Sequence, residues 1–153
     1  GRRLAARSDA AIPLDEILRD GVRGRPDVSA LASLDGHKLC VLAWHYHDDD
    51  VPGPSAEIEL ALAGLPLAGL LPANGGARLQ QYQIDAEHSN AFTAWQRLGS
   101  PQSPTAEQYA QLEKAGRLAA MGEPRVIGIV EGRGVVRLSL PRQAVTLLVF
   151  DLN

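Results

Sequence analysis

The sequence predicts a mainly β protein: an antiparallel β-sandwich, jelly-roll-like, with one longer helix and a short N-terminal helix. Three observations point there. Apolar residues alternate with polar ones over short runs, which is the two-residue period of a strand. Gly, Pro and Asp clusters punctuate these runs at short intervals, giving about seven strands in all. Only one long stretch, near residue 105, carries helical spacing together with a start signal.

The elements follow in chain order. "PLDEILRDG" reads as the short N-terminal helix. "DVSALASLDGHKLCVLAWHY" reads as two strands joined at Asp35-Gly36, a dipeptide that tolerates the positive φ of a hairpin turn. In the second strand Leu39, Val41, Ala43 and His45 share one face, and Cys40, Leu42, Trp44 and Tyr46 share the other. With both faces apolar, this strand is expected to be central and covered on each side. "AEIELALAGL" turns Ala56, Ile58, Leu60 and Leu62 inward and leaves Glu57 and Glu59 wet. "ARLQQYQID" is a further strand, followed by a long connection running from Tyr82 to Thr105. "SPTAEQYAQLEKAGRLAAM" is the longer helix. Thr105 and Gln108 have capping-box spacing, and Glu107 lies where the helix dipole favours an anion. Tyr109, Leu112, Gly116 and Ala119 recur at helical spacing, so this face is expected to lie on the sandwich, and Gly122 and Pro124 to stop the helix. "RVIGIVEG" and "GVVRLSLP" flank a turn at "EGRG", and "AVTLLVFDL" closes the fold.

Composition narrows the function. At 153 residues, 45% apolar and 22% charged, the chain can bury a core without staples. A net charge of −3 with interspersed signs offers no basic footprint for nucleic acid. No run approaches the roughly 18 apolar residues of a membrane span. The single cysteine, Cys40, excludes an internal disulfide and, inside "KLCVLAW", reads as a buried, inert thiol. Such cysteine usage fits a reducing cytoplasm, the periplasm being the alternative. The opening "GRRLAARSDA" has neither an initiator Met nor an apolar leader, and it reads as part of a longer polypeptide.

Two stretches hold the candidate chemistry. In "AWHYHDDDVPGP", His45 and His47 share a strand face and are candidate metal ligands. Neither His37 nor His88 is an evident third ligand, and aspartates followed by prolines serve equally as turn formers. The favoured reading is a strand end and a turn, with no metal and no cofactor. In "YQIDAEHSNAFTAWQRLGSPQSPT", Asp85, Glu87, His88 and Asn90 crowd a loop before Phe92 and Trp95. These groups can bind a polar ligand or do acid–base work, and they can also tie a long connection down onto its own domain. None of the serines stands in a G-x-S-x-G elbow, and "GRG" is no phosphate loop.

These same two segments carry a resemblance. "WHYHDDDVPGP" followed by "HSNAFTAWQRLGSPQSPTAEQYAQL" resembles the C-terminal region of family 39 glycoside hydrolases, the bacterial β-xylosidases. "WQRLGSPQSPTAEQYAQL" is also similar to the equivalent part of α-L-iduronidase, and the likeness runs over nearly the whole chain. The resemblance implies a sandwich that packs against a catalytic (β/α)₈ barrel of the same polypeptide, with "GRRLAARS" following the barrel's last helix. Retaining glycosidases need two carboxyl groups about 5–5.5 Å apart. The family's acid/base glutamate follows an asparagine, and here Asn74 and Asn90 precede Gly and Ala while Asn153 closes the chain. A barrel also needs roughly 250 residues. No catalytic residue carries over.

The expectation is therefore a non-catalytic accessory sandwich. Its parent enzyme would hydrolyse β-1,4-xylosidic bonds of xylo-oligosaccharides, which this chain meets only through the barrel. Asp85, His88 and Asn90 form a candidate cleft-rim loop. Two alternatives stand beside it: an autonomous carbohydrate-binding module using aromatics such as Trp44, Tyr46, Tyr82, Phe92 and Trp95, and a small metal-dependent enzyme using His45 and His47. Apolar surface at Leu14, Ile17, Leu18 and "GLPLAGLLP" is expected to be open in the isolated domain, which would then associate or form oligomers.

Overall fold

The computed structural model describes residues 1–65 and 75–152. Among them the order is β1 (Arg2–Leu4), α1 (Leu14–Asp20), β2 (Asp27–Asp35), β3 (Lys38–Tyr46), β4 (Ala56–Leu62) and β5 (Gly76–Ile84). There follow α2 (Ala91–Arg97), α3 (Ala106–Ala115), β6 (Ala119–Ala120), β7 (Arg125–Gly128), β8 (Gly134–Leu140) and β9 (Ala144–Asp151). The large sheet runs β1-β2-β3-β9-β5-β6, with β7 also paired to β5, and the small sheet is β4-β8. Every pairing is antiparallel.

The β2–β3 hairpin forms as the sequence predicts. Asp35 pairs with Lys38, and Gly36 takes the positive φ of 54° that a tight turn asks for. β9 then inserts between β3 and β5, pairing Ala43 with Thr146 on one side and Gln83 with Thr146 on the other. β7 and β8 are adjacent in sequence but belong to different sheets. The chain crosses between layers at a turn where Val130 and Arg133 exchange main-chain hydrogen bonds of 2.9 Å. Both central residues, Glu131 and Gly132, have positive φ, which only a glycine-containing turn takes at low cost.

The two layers share one core. Leu39, Val41, Leu79, Leu148 and Phe150 point inward from the large sheet, and Leu62 and Val136 meet them from the small one. Ile58 and Leu60 are half-buried and alternate with the exposed Glu57 and Glu59, as expected. Glu59 faces out to Arg137 at 2.8 Å, and Glu57 accepts from Ser139.

Four expectations are corrected. β3 is central in its sheet but buried on one face only: Leu39, Val41, Ala43 and His45 are buried, whereas Leu42 and Tyr46 are exposed. The small sheet covers just the inner face, and no described element covers the outer one. Cys40 accordingly stands half-buried on that outer face rather than in the core. The connection after Tyr82 contains a second helix, α2. Finally, α3 ends at Ala115, before Gly122, and its helical neighbour is α2 rather than the sheet. The physical reason for this last change is competition: Ala119 and Ala120 add to the edge of β5, and Met121 N–H donates to Gln81 O at 2.8 Å. Gly116, the weakest helix former in the stretch, is where helix gives way to strand. Leu14 and Leu18 are exposed as expected and Ile17 is half-buried, while most of "GLPLAGLLP" lies outside the described residues.

Candidate functional site

The inner face of β5 changes character along its length. Ala77 and Leu79 are buried in the core, and the next inward residues are Gln81, Gln83 and Asp85. Buried amides need partners, and these supply one another. Gln81 Nε2 donates to Thr146 Oγ1 at 3.2 Å and to Gln83 Oε1 at 3.3 Å, and Gln83 Nε2 donates to Asp85 Oδ2 at 2.6 Å. The row ends on the Asp85 carboxylate, which also accepts from the main-chain N–H groups of Glu87 and His88, each at 2.7 Å.

His88 closes this arrangement. Its Nδ1 donates to the two Asp85 oxygens at 2.9 and 3.0 Å. A carboxylate only accepts, so the proton sits on Nδ1 and Nε2 is left without a partner among the described residues. The imidazole is 41% exposed at the rim of a groove of about 600 Å³, lined also by Gln81, Gln83, Glu123, Arg125 and Arg137. Burial alone would raise the Asp85 pKa. The hydrogen bonds from Gln83, His88 and the two main-chain N–H groups outweigh it and hold the carboxyl below its ordinary range.

The three predicted loop residues therefore meet, in different roles. Asn90 is fully committed to the chain: its Oδ1 caps α2 by accepting from Thr93 N–H at 3.0 Å, and its Nδ2 donates to Asp85 O at 2.8 Å. Asp85 is the buried brace. Only His88 offers an atom outward. Glu87 is paired with Arg97, whose guanidinium holds the Glu87 carboxyl below its usual range. Ser89, at a positive φ of 54°, donates to Gln83 O and accepts from Ala119 N–H, both at 2.7 Å. Sequence reasoning missed Ser89, Gln81 and Gln83. The signal available was the break in the inward apolar alternation after Leu79.

His45 and His47 also share a face, and both are buried. They are tied to different places: His45 Nδ1 to Leu140 O at 2.9 Å, and His47 Nε2 to Arg23 O at 2.9 Å with Nδ1 accepting from Asp49 N–H. Among the described residues no group of three metal-ligating side chains converges. The aspartates act locally, Asp48 accepting from Val22 N–H at 2.9 Å. The stretch is the strand end and turn that the sequence favoured. Among the aromatics, Phe92 and Trp95 stack at 5.7 Å between centroids, and Trp95 N–H donates to Pro101 O.

An antiparallel two-layer domain with a helical hairpin set between β5 and β6 has the fold of one portion of family 39 glycoside hydrolases. The family 39 enzyme from Xanthomonas axonopodis pv. citri matches with a TM-score of 0.62 and 20% identity, over 86% of this chain and 28% of its own. A monomeric β-xylosidase from Caulobacter crescentus CB15 matches at 0.57 and 20%, with the same coverage. A bacterial orthologue of human α-L-iduronidase matches at 0.64 and 23%, over 92% of this chain and 23% of its own. The chain thus spans about a quarter of the length of the structures it matches. No protein-family profile matches it, and neither does any curated protein.

Proposed function

We propose that this chain is the non-catalytic C-terminal sandwich of a retaining, β-xylosidase-like glycoside hydrolase, buttressing a (β/α)₈ catalytic barrel in the same polypeptide. The observation that carries this reading is the coverage: nearly all of this fold is matched, by about a quarter of enzymes of one family. The acids nearest His88 agree with a non-catalytic role, Asp85 being held by its donors and Glu87 by Arg97. Hydrolysis with retention needs two carboxyl groups free to act as acid/base and nucleophile. The test is release of xylose from an aryl β-xyloside. The 153-residue chain should be inactive, and the polypeptide that joins it to a barrel should be active with retention. Turnover by the 153-residue chain alone would overturn the reading.

Within this function His88 is the cleft-rim contact of the sandwich, presenting Nε2 to a substrate hydroxyl. In the complete enzyme His88→Ala should raise KM by about fivefold, the worth of roughly one hydrogen bond, while Tm falls by a few degrees because Asp85 loses a donor. A fall in Tm with KM unchanged would make the loop purely structural.

A second reading, an autonomous carbohydrate-binding module, draws on the exposed Phe92 ring of the aromatic stack. Titrating xylo-oligosaccharides against the chain while following Trp fluorescence separates the two. An unchanged spectrum at millimolar sugar removes the module.

A further inference from the structure

The outer face of the large sheet is written in rows. Cross-strand partners share a face, so the pairings of β2, β3, β9 and β5 place Asp35, Lys38, Asp151 and Arg78 side by side, with charges alternating in sign. The next row is Ser33, Cys40, Val149 and Gln80. The third is Leu31, Leu42, Leu147 and Tyr82, with no charged group, and the fourth is Ser29, Trp44, Val145 and Ile84. An antiparallel sheet with one wet face carries polar residues on it. Here polar residues thin out beyond the charged row to Ser33, Gln80 and Ser29, and Leu31, Leu42 and Ile84 stand 44%, 38% and 45% exposed.

We infer that this face is the docking surface of the sandwich and that its occupant is the helical outer layer of the catalytic domain, an inference resting on the function proposed above. Magnitude supports it. Four strands about 4.8 Å apart and about six residues long at 3.4 Å each give on the order of 400 Å². A standard interface takes about 800 Å² from each partner, a little over half of it apolar. The patch is thus the apolar centre of one ordinary interface, and the charged row is its rim. The contact is made by side chains, because β3, β9 and β5 have strand partners on both sides and β2 is paired with β1 over Ala32–Leu34. An apolar sheet face is closed by a layer of helices or by another sheet, and a (β/α)₈ barrel presents helices on its outside. The matched enzymes carry about three quarters of their length outside this fold, which is a domain large enough to need such a face.

Cys40 stands in the second row and is the chain's single thiol, so it reports directly on the surface. The experiment compares maleimide modification of Cys40, read by peptide mass mapping, in the 153-residue chain and in the polypeptide containing the barrel. Modification should be about tenfold slower or more in the latter. Leu42→Glu, a change at an exposed position, should leave the Tm of the 153-residue chain unchanged and lower that of the enzyme. Equal labelling in a polypeptide that does hydrolyse xylosides overturns this docking face and leaves the proposed function standing. Concentration-dependent protection in the short chain, with a dimeric mass, assigns the face to a second copy and also overturns the inference. A longer polypeptide without glycosidase activity sinks the proposed function itself, and the occupant with it.

Discussion

Asp85 collects the donors of a whole loop on one side chain, and its protonation therefore matters to the fold. Its folded pKa is depressed, so it contributes stability above the unfolded carboxyl value of about 3.9, and that contribution is lost as pH falls through the folded pKa. The loop from Asp85 to Asn90 should open in acid, below about pH 4, before the core does. Hydrogen exchange at the Glu87 and His88 amides, both bonded to that carboxylate, would show it. Asp85→Ala should cost about 2 kcal/mol at neutral pH in a urea titration and should flatten the acid limb, since the donors of Gln83 and the main chain lose their acceptor. His45 and His47 show the complementary point. Their spacing announces a shared face, but the carbonyls opposite, Leu140 O and Arg23 O, are far away in sequence and only the folded chain supplies them.

At the level of elements, legibility followed locality. The capping box of α3 is visible in Thr105 and Gln108, and both of its hydrogen bonds form, at 2.9 and 3.2 Å. The β2–β3 hairpin and the wet glutamates of β4 are equally local, and both are as the sequence predicts. What was hidden depends on distant partners. The end of α3 is decided by the edge of β5, and the open face of β3 by a second layer only two strands wide. α2 was missed although Asn90 is a good cap, because its seven residues are too few to show a periodic stripe. The candidate loop was legible as a cluster, but not in its division of labour. Asn90→Ala should destabilise the chain by about 1 kcal/mol through loss of the cap, with exchange protection reduced first in α2. Thr105→Ala should cost about as much, with the loss confined to α3.

For the molecule as a whole, one strand decides. β9 bonds both β3 and β5, and its inward residues Leu148 and Phe150 are fully buried. Phe150→Ala should cost about 3–5 kcal/mol, against a total of about 5–15 for a domain of this kind, and should bring urea unfolding close to native conditions. β9 also follows every other strand in chain order. A ribosome making this protein therefore releases β2, β3 and β5 first, and the slot that β9 fills between β3 and β5 has no native occupant until the end. At about 5–20 residues per second, some seconds pass between the emergence of β3 and that of β9. During that interval the unfilled slot is open to any stray strand, and chaperone dependence in the cell should concentrate there.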